Sequence, residues 1–431
     1  MTEARRYPPD LLLLVSVLGL LVIGIVMVYS ASFIVAHNDF GDENYFLTRH
    51  LIFVTVGLIL MGFLAGVDYH RWRRWAWPAI VLAVVLLVVV LLPGLGVETY
   101  GARRWLQTGG LLPGLQPSEF AKLAVVLFLA AWLSGRERPA ARLTSGSLPF
   151  LLFVGLVAAL IMKEPDMGTT LVVVLASATV FWVAGANVLH VGSVAVVGGV
   201  GLVWLAMAAD YRSGRLQGWM DPWADPQGIG WHTVQTLIAL GSGGLTGLGL
   251  GAGRAKAYFV PNAHTDAIYG IVGEELGLLG TVLVLVLFGV LAWRGLTLAL
   301  RSRDAFGQLL AVGVTSLLVW QALLNMMVVT NAVPFTGIPL PFLSFGGSSL
   351  IISLAAVGLL LSVSRHRDLV PPPEPARERG RERGATAARA PRWGLPRRRP
   401  AVRGGRAASP LARATSSPEA ASWSGARRRS R

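Results

Sequence analysis

The stretch PNAHTDAIYGIVGEELGLLG (261–280) opens a long apolar run with three carboxylates, Asp266, Glu274 and Glu275, and His264 and Thr265 directly precede the first of them. A carboxylate at the mouth of a helix can cap free N–H groups, and Thr265 and Asp266 both suit that role. It can equally take a proton from an incoming hydroxyl, provided burial raises its proton affinity. On a continuous helix Glu274 and Glu275 lie eight and nine residues further on, ~12–14 Å deeper. They are too deep to be the same base, and they point to different sides. That geometry makes Glu274 the better candidate for lining a cavity and Glu275 for pairing with a neighbouring helix.

Other clusters carry related chemistry. In QPSEFAKLAVV (116–126), Pro117 suits a first helical turn, and Gln116, Ser118 and Glu119 stand beside it. Glu119 and Lys122, three apart, can pair on one helix face, either as a buried structural pair or as the wall of a polar cavity. KEPDMGTT (163–170) turns the chain at Pro165, and Asp166 there can be an N-cap or a substrate contact. GARRWLQTGG (101–110) supplies Arg104 with a second Arg and a Trp, suited to phosphate or to interfacial anchoring. Arg49, Arg215, Arg254 and Lys256 add to the same positive field, which suits an anionic ligand such as a lipid phosphate. In NAVPFTGIPLPFLSFGGSSL (331–350) three prolines forbid a continuous helix, so a broken, cavity-lining segment is expected, with Ser344, Ser348 and Ser349 as donors or caps. The Gly-rich IALGSGGLTGLGLGAGR (238–254) lacks the Gly-Lys-Ser/Thr order of a nucleotide loop and reads as a lid or re-entrant segment.

The elements that must position these groups are membrane helices. Of 431 residues 54% are hydrophobic and 14% charged, well below the charged share of a soluble domain. Apolar runs long enough to cross a hydrocarbon core recur, and β-barrel alternation is absent. The first run is too long for a signal-peptide core and is expected to be retained. There is no Cys, which excludes disulfides and thiol chemistry. Ten helices are expected, at roughly 11–35, 51–67, 77–93, 117–133, 148–163, 168–185, 190–208, 267–293, 308–331 and 346–364. The fold class is thus an all-α polytopic membrane protein with residues 11–366 as its membrane domain. Short basic connections such as HRWRRW (70–75) and SGRERPAAR (134–142) belong to the cytoplasmic side, which places both termini there. The clusters above then share the outer face, with a large extracytoplasmic loop (209–266) between helices 7 and 8. Residues 1–10 form a cytoplasmic N-terminus. The 367–431 tail is Arg/Pro-rich, with 16 Arg and 4 Glu after residue 370, and its composition predicts disorder and attraction to anionic lipid.

QPSEFAK, KEPDMG, DPWADPQG (221–228), QTLIALGSGGLTGLGLG, PNAHTDAIYGIVGEELG and VPFTGIPLPFLSFGGSSL occur in one order that resembles the SEDS family (shape, elongation, division and sporulation), the RodA/FtsW proteins. The resemblance covers nearly all of residues 10–365, and the DPW, GLGLG and RAKAYFVP wording is closer to the FtsW branch. It implies a ten-helix fold in the cytoplasmic (inner) membrane and a peptidoglycan glycosyltransferase that polymerises lipid II with inversion. It also implies a class B penicillin-binding protein, a transpeptidase, as partner, with other division or elongation proteins nearby. No nucleic-acid partner is expected. On this reading Asp266 matches the family's essential aspartate and is the general base. Arg49, Arg104, Lys122 and Lys256 are candidate cations for the pyrophosphate, with or without Mg²⁺ or Mn²⁺. Gln116, Ser118, Glu119, Asp166, His264, Thr265, Ser344 and Ser348 complete the expected substrate-binding set. The family's usual Glu and Phe are here Asn262 and Ala267, its usual Gln is Glu164, and its usual Tyr is Phe345. A lipid II flippase or other lipid transporter is the alternative. It requires alternating access, whereas the enzyme requires a base facing one side only.

Overall fold

The computed structural model describes residues 8–99, 102–106, 114–135, 146–187, 192 and 210–366. Long apolar helices dominate it: α1 (Leu11–Phe40), α2 (Tyr45–Gly66), the single turn α3 (His70–Arg73), α4 (Ala76–Leu91), α5 (Pro117–Leu133), α6 (Leu148–Lys163) and α7 (Met167–Val183). Two shorter helices, α8 (Asp210–Met220) and α9 (Trp231–Ser242), precede α10 (Ile268–Arg301), α11 (Ala305–Val329) and α12 (Gly347–Arg365). Five of these helices, α1, α2, α10, α11 and α12, are long and apolar enough to cross a membrane, and α4, α6 and α7 are shorter apolar helices. The protein is a multi-pass helical membrane protein.

The helix boundaries depart from expectation in instructive ways. α1 runs on to Phe40 and α2 starts at Tyr45, so Arg49 lies within a helix and not in a loop. The expected all-α class also needs one correction: Gly96–Thr99 (β1) pairs antiparallel with Ala102–Leu106 (β2). Trp105 and Val97 face each other across that hairpin, and an isolated bridge joins Leu106 to Leu115. The expected helix 190–208 and the tail 367–431 lie outside the described residues.

α11 is the hub of the bundle, packing against α5, α7, α10 and α12, while α12 packs most extensively on α2. One end of the bundle is tied by charge. Asp10 caps α1 through the Leu13 N–H, its own N–H donates to Ser364 on α12, and its carboxylate pairs with Arg294 on α10. Asp304 caps α11 through the Gly307 N–H and accepts the Tyr69 hydroxyl. These bonds bring the start of α1 and the ends of α10 and α12 to one side. Buried termini would otherwise leave unsatisfied groups in an apolar medium.

The other end is held by a break. α10 is interrupted at Gly277, whose backbone (φ 66, ψ −162) only glycine adopts readily. The Gly-rich stretch after α9 inserts there and supplies the lost partners. Leu248 and Gly249 donate to the carbonyls of Glu274 and Glu275, at 3.0 Å each, and Leu278 and Leu279 donate to the carbonyls of Gly244 and Leu245. This stretch, expected as a lid or re-entrant segment, thus packs its backbone on the break in α10. A Cβ on Gly277 would stand 2.3 Å from the Gly247 nitrogen, so the two segments meet backbone to backbone. Gly277→Ala should therefore lower stability in detergent through both strain and collision, by about 1–3 kcal/mol or more, and lower the melting temperature with it. Gly289→Ala, on the same helix with nothing within 4 Å of the new carbon, should be neutral or stabilising by about 0.5–1 kcal/mol. Melting curves of the two variants side by side test this; equal behaviour would show that the break is not required.

Candidate active site

A cavity of about 900 Å³ opens where the irregular segments converge. Its walls come from β2, the first turn of α5, the α6–α7 turn, α8, the 256–266 loop and the 335–349 segment. Of the residues singled out in the sequence, Arg104, Gln116, Glu119, Asp166, Lys256, His264, Thr265 and Asp266 line it. Such a volume suits a ligand of sugar or headgroup size.

Asp266 is buried at this wall and does not act as a side-chain cap of α10. Its Oδ1 accepts the Thr265 hydroxyl at 3.1 Å. Burial pushes its carboxyl up to about 6, against opposing hydrogen bonds from the local backbone and Thr265 and the positive field of Arg215. The backbone here is fixed from behind. Asn325 on α11 donates to the Asp266 carbonyl and to the Ile338 carbonyl, both at 2.7 Å. Phe345 N–H donates to the His264 carbonyl at 2.9 Å. His264 packs its ring between Phe46 and Phe345, and burial pushes it down to about 4, so it is neutral at working pH.

The α5 cluster is a network rather than a cap. Lys122 Nζ pairs with Glu119 at 2.7 Å and donates to Gln321 Oε1 on α11 at 2.8 Å. Gln321 Nε2 in turn donates to the Pro339 carbonyl (2.9 Å) and to Ser349. Lys122 is buried behind Glu119 and does not reach the cavity wall. Gln116 Nε2 donates to Ser118 and to Asp166 Oδ2. Asp166 performs both roles considered for it, since it caps α7 through the Thr169 N–H (2.9 Å) and faces the cavity. Arg104 donates to the carbonyls of Glu164 (2.9 Å) and Pro165 (2.5 Å), which clamps the α6–α7 turn onto the β-hairpin.

Several residues take places the sequence did not indicate. Lys256 lines the cavity, yet its ammonium is 1% exposed and pairs with Glu275 at 2.6 Å. Glu275 also accepts from Ser30 on α1, so it does reach a neighbouring helix. Glu274 is corrected: it does not line the cavity but accepts the N–H groups of Arg254 (2.7 Å) and Ala255. Loop 251–256 folds directly onto this helix, and its buried N–H groups require acceptors. Arg49 lies away from the cavity, its guanidinium over the Tyr45 ring at 3.6 Å. Ser344 accepts the Leu340 N–H, and Ser348 accepts the Gln116 N–H; neither side chain is at the wall.

Arg215, named in the sequence only for its positive field, and Ser349, named as a donor or cap, line the cavity together with Phe335, Thr169 and Thr336, which had not been singled out. Glu164 is fully buried, and its carboxylate has only a weak contact with the Ser118 hydroxyl. Burial and the neighbouring Asp166 push its carboxyl up to about 9, against the pull of Arg104, so it is a neutral acid. Gln321 and Asn325 had a signal in the sequence, two amides four apart on one face of an apolar run. Among the described residues no three His, Asp or Glu side chains gather as metal ligands. Glu119 is taken by Lys122 and Asp166 by Thr169 and Gln116. The residues present therefore do not fit a resident Mg²⁺ or Mn²⁺, and no step is routed through one.

The sequence profile of the cell cycle protein family that groups FtsW, RodA and SpoVE matches residues 11–369. Stage V sporulation protein E of Bacillus subtilis is 44% identical over 362 residues, 84% of this chain and 98% of the relative. The probable peptidoglycan glycosyltransferase FtsW of Trichlorobacter lovleyi is 40% identical over 362 residues, 84% of this chain and 94% of the relative. The crystal structure of the Thermus thermophilus rod shape determining protein RodA superposes with a TM-score of 0.61 at 31% identity, covering 84% of this chain and 98% of that one. A chain from the structure "Structural coordination of polymerization and crosslinking by a peptidoglycan synthase complex" superposes with a TM-score of 0.67 at 30% identity, covering 84% and 99%. With one profile spanning its helical body and relatives sharing that body nearly end to end, the chain belongs to the FtsW, RodA and SpoVE family of cell cycle proteins.

Proposed function

We propose that this chain is a peptidoglycan glycosyltransferase that polymerises lipid II on the outer face of the cytoplasmic membrane, in septal or elongation synthesis. The names of its FtsW relatives support the reaction class. The observation that carries the assignment to a residue is a buried carboxylate, Asp266, whose pKa is raised to about 6 at the wall of a cavity of about 900 Å³. In the proposed step, Asp266 takes the proton of the acceptor sugar's 4-hydroxyl. That oxygen then forms a bond to the anomeric carbon of the donor. The bond from that carbon to the pyrophosphate oxygen breaks, and undecaprenyl pyrophosphate leaves with the electron pair. Inversion in a single displacement needs no covalent intermediate. Arg104 meets the growing negative charge, with Lys256 contributing less because Glu275 neutralises it. This reading takes ten helices with both termini cytoplasmic, an arrangement that would put the cavity outside. The synthase complex among the structural neighbours supports a transpeptidase of the class B penicillin-binding type as partner.

Replacing Asp266 by Asn should reduce polymerisation by roughly 10²–10⁴-fold, the usual worth of a positioned base. Labelled lipid II with the pure protein and its cognate partner reads this out. A flippase or a scaffold would make no glycan strands under any condition, and normal strands from Asp266→Asn would remove the assignment. Stability should not fall. Between about pH 3.8 and 6 the folded state holds more protons than the unfolded one, so stability declines as pH rises through that window. Above it the ionised carboxylate costs at most on the order of 3 kcal/mol, which the amide removes.

The pH profile should carry two limbs. Activity rises as Asp266 ionises near pH 6, with His264 already neutral throughout. It falls again near pH 9, where Glu164 ionises and adds charge beside Asp166. Glu164→Gln should keep the acid limb and extend the alkaline range. An alkaline limb unchanged in that variant would locate its source elsewhere.

A further inference from the structure

One aromatic ring in the cavity wall contacts two side chains from different elements. Phe335, in the Pro-interrupted segment, has the His232 ring of α9 at 4.2 Å between centroids. The Arg215 guanidinium of α8 lies 5.2 Å from the ring centroid, within cation–π range, and Arg215 Nη1 donates to the Phe335 carbonyl at 3.3 Å. Both Phe335 and Arg215 line the cavity that holds Asp266. Two residues after Phe335 the backbone passes the base itself: a Cβ on Gly337 would stand 3.5 Å from Asp266 Oδ2 and 4.0 Å from the Phe335 ring.

We propose that Phe335 is a positioning residue: with His232 packed against its ring, its ring and carbonyl fix the Arg215 guanidinium in the wall beside Asp266, so that one cation both steadies the ionised base and faces the leaving pyrophosphate. This deepens the glycosyltransferase reading and rests on it. Arginine is a long, rotamer-rich side chain, and holding it in one place costs conformational entropy. Contact with a flat ring and a hydrogen bond to the carbonyl of the same residue reduce that cost. His232 suits a place beside this ring because burial and the nearby Arg215 push it down to about 4, leaving a neutral ring that does not repel the guanidinium. The other charged or titratable groups at this wall are held by different means. Arg104 is on the Glu164 and Pro165 carbonyls, Glu119 on Lys122, Asp166 on Thr169, Lys256 on Glu275, and His264 between Phe46 and Phe345. Removing Phe335 therefore takes the ring contact from Arg215 and leaves those groups, and Tyr258 on Asp39, in place.

The test compares Phe335→Leu, Phe335→Tyr, Arg215→Gln and the Phe335→Leu/Arg215→Gln pair, in the full chain with its transpeptidase partner. Phe335→Leu should move the acid limb of the polymerisation profile to higher pH, because Asp266 loses the field that opposes its protonation. It should also raise KM for lipid II roughly two- to five-fold. Phe335→Tyr, which keeps the ring, should restore both. The double variant should be no worse than Arg215→Gln alone, since both changes act through one guanidinium. Phenylglyoxal labelling read by peptide mass spectrometry gives an answer independent of activity: Arg215 should react several-fold faster in Phe335→Leu, with exposed Arg254 unchanged. An unmoved limb, additive losses, or unchanged Arg215 labelling would each overturn the proposal. The glycosyltransferase reading fails separately, if the unmodified protein makes no glycan or Asp266→Asn makes it normally.

Discussion

A single amide, that of Asn325, holds the two irregular segments that make the site. It donates to the carbonyl of Asp266 on one side and of Ile338 on the other. Both segments lack helical hydrogen bonds and lie beside an apolar medium, where each unsatisfied backbone group costs several kcal/mol. Helix α11 answers this twice, since Gln321, one turn earlier, donates to the Pro339 carbonyl. The central helix of the bundle thus serves as the scaffold for non-helical backbone. The base, the aromatic wall and the glycine beside the base all inherit their positions from it. The same constraint explains the Gly-rich insertion at Gly277, where a broken helix is completed by another stretch of chain.

The second organising feature is how charge is sorted. Two lysines that the sequence offered as cations for a ligand are each committed to a carboxylate, Lys122 to Glu119 and Lys256 to Glu275. Pairs this buried gain little net stability, but removing one partner strands the other and costs roughly 3–5 kcal/mol. Their value is geometric: the first ties α5 to α11 through Gln321, and the second ties the 251–256 loop to α1 and α10. The arginines are used differently. Arg104 and Arg215 are docked on backbone carbonyls, so their charge is directed without being cancelled by those contacts.

Much of this was legible from residue order. Apolar runs located the long helices, and the prolines at 334, 339 and 341 announced the broken segment. Asp266, Gln116, Glu119 and Asp166 stood out because charge or amide at the start of an apolar helix is costly unless used. What could not be read was which partner each group would choose. The periodicity argument assigned Glu274 to the cavity because it assumed that only other helices could approach. Instead a loop far back in the sequence lies there, bringing N–H groups that no helical wheel contains. The β-hairpin escaped notice because its register depends on contacts with α4 and α5 rather than on an alternating pattern. Phe335 escaped because an aromatic residue among prolines reads as packing until Arg215 and His232 arrive from two other helices.

Asp266 and Glu164 show why burial alone does not make a base. Both carboxyls lie close to the cavity and both are raised by desolvation, yet one reaches about 6 and the other about 9. At Asp266 desolvation is opposed by Thr265, by local N–H groups and by Arg215. At Glu164 the next acid, Asp166, adds to desolvation, and Arg104 spends its hydrogen bonds on the carbonyls of the same turn. A base must be ionised at working pH and still want a proton, a condition met by a value near 6 and missed by one near 9. Each acid has a hydroxyl and a guanidinium that lower it, so the difference comes from two backbone N–H groups at Asp266 and from the second acid, Asp166, beside Glu164. The distinction between the reactive acid and its silent neighbour therefore rests on the irregular segments that deliver them and, through Asn325, on the helix behind those segments.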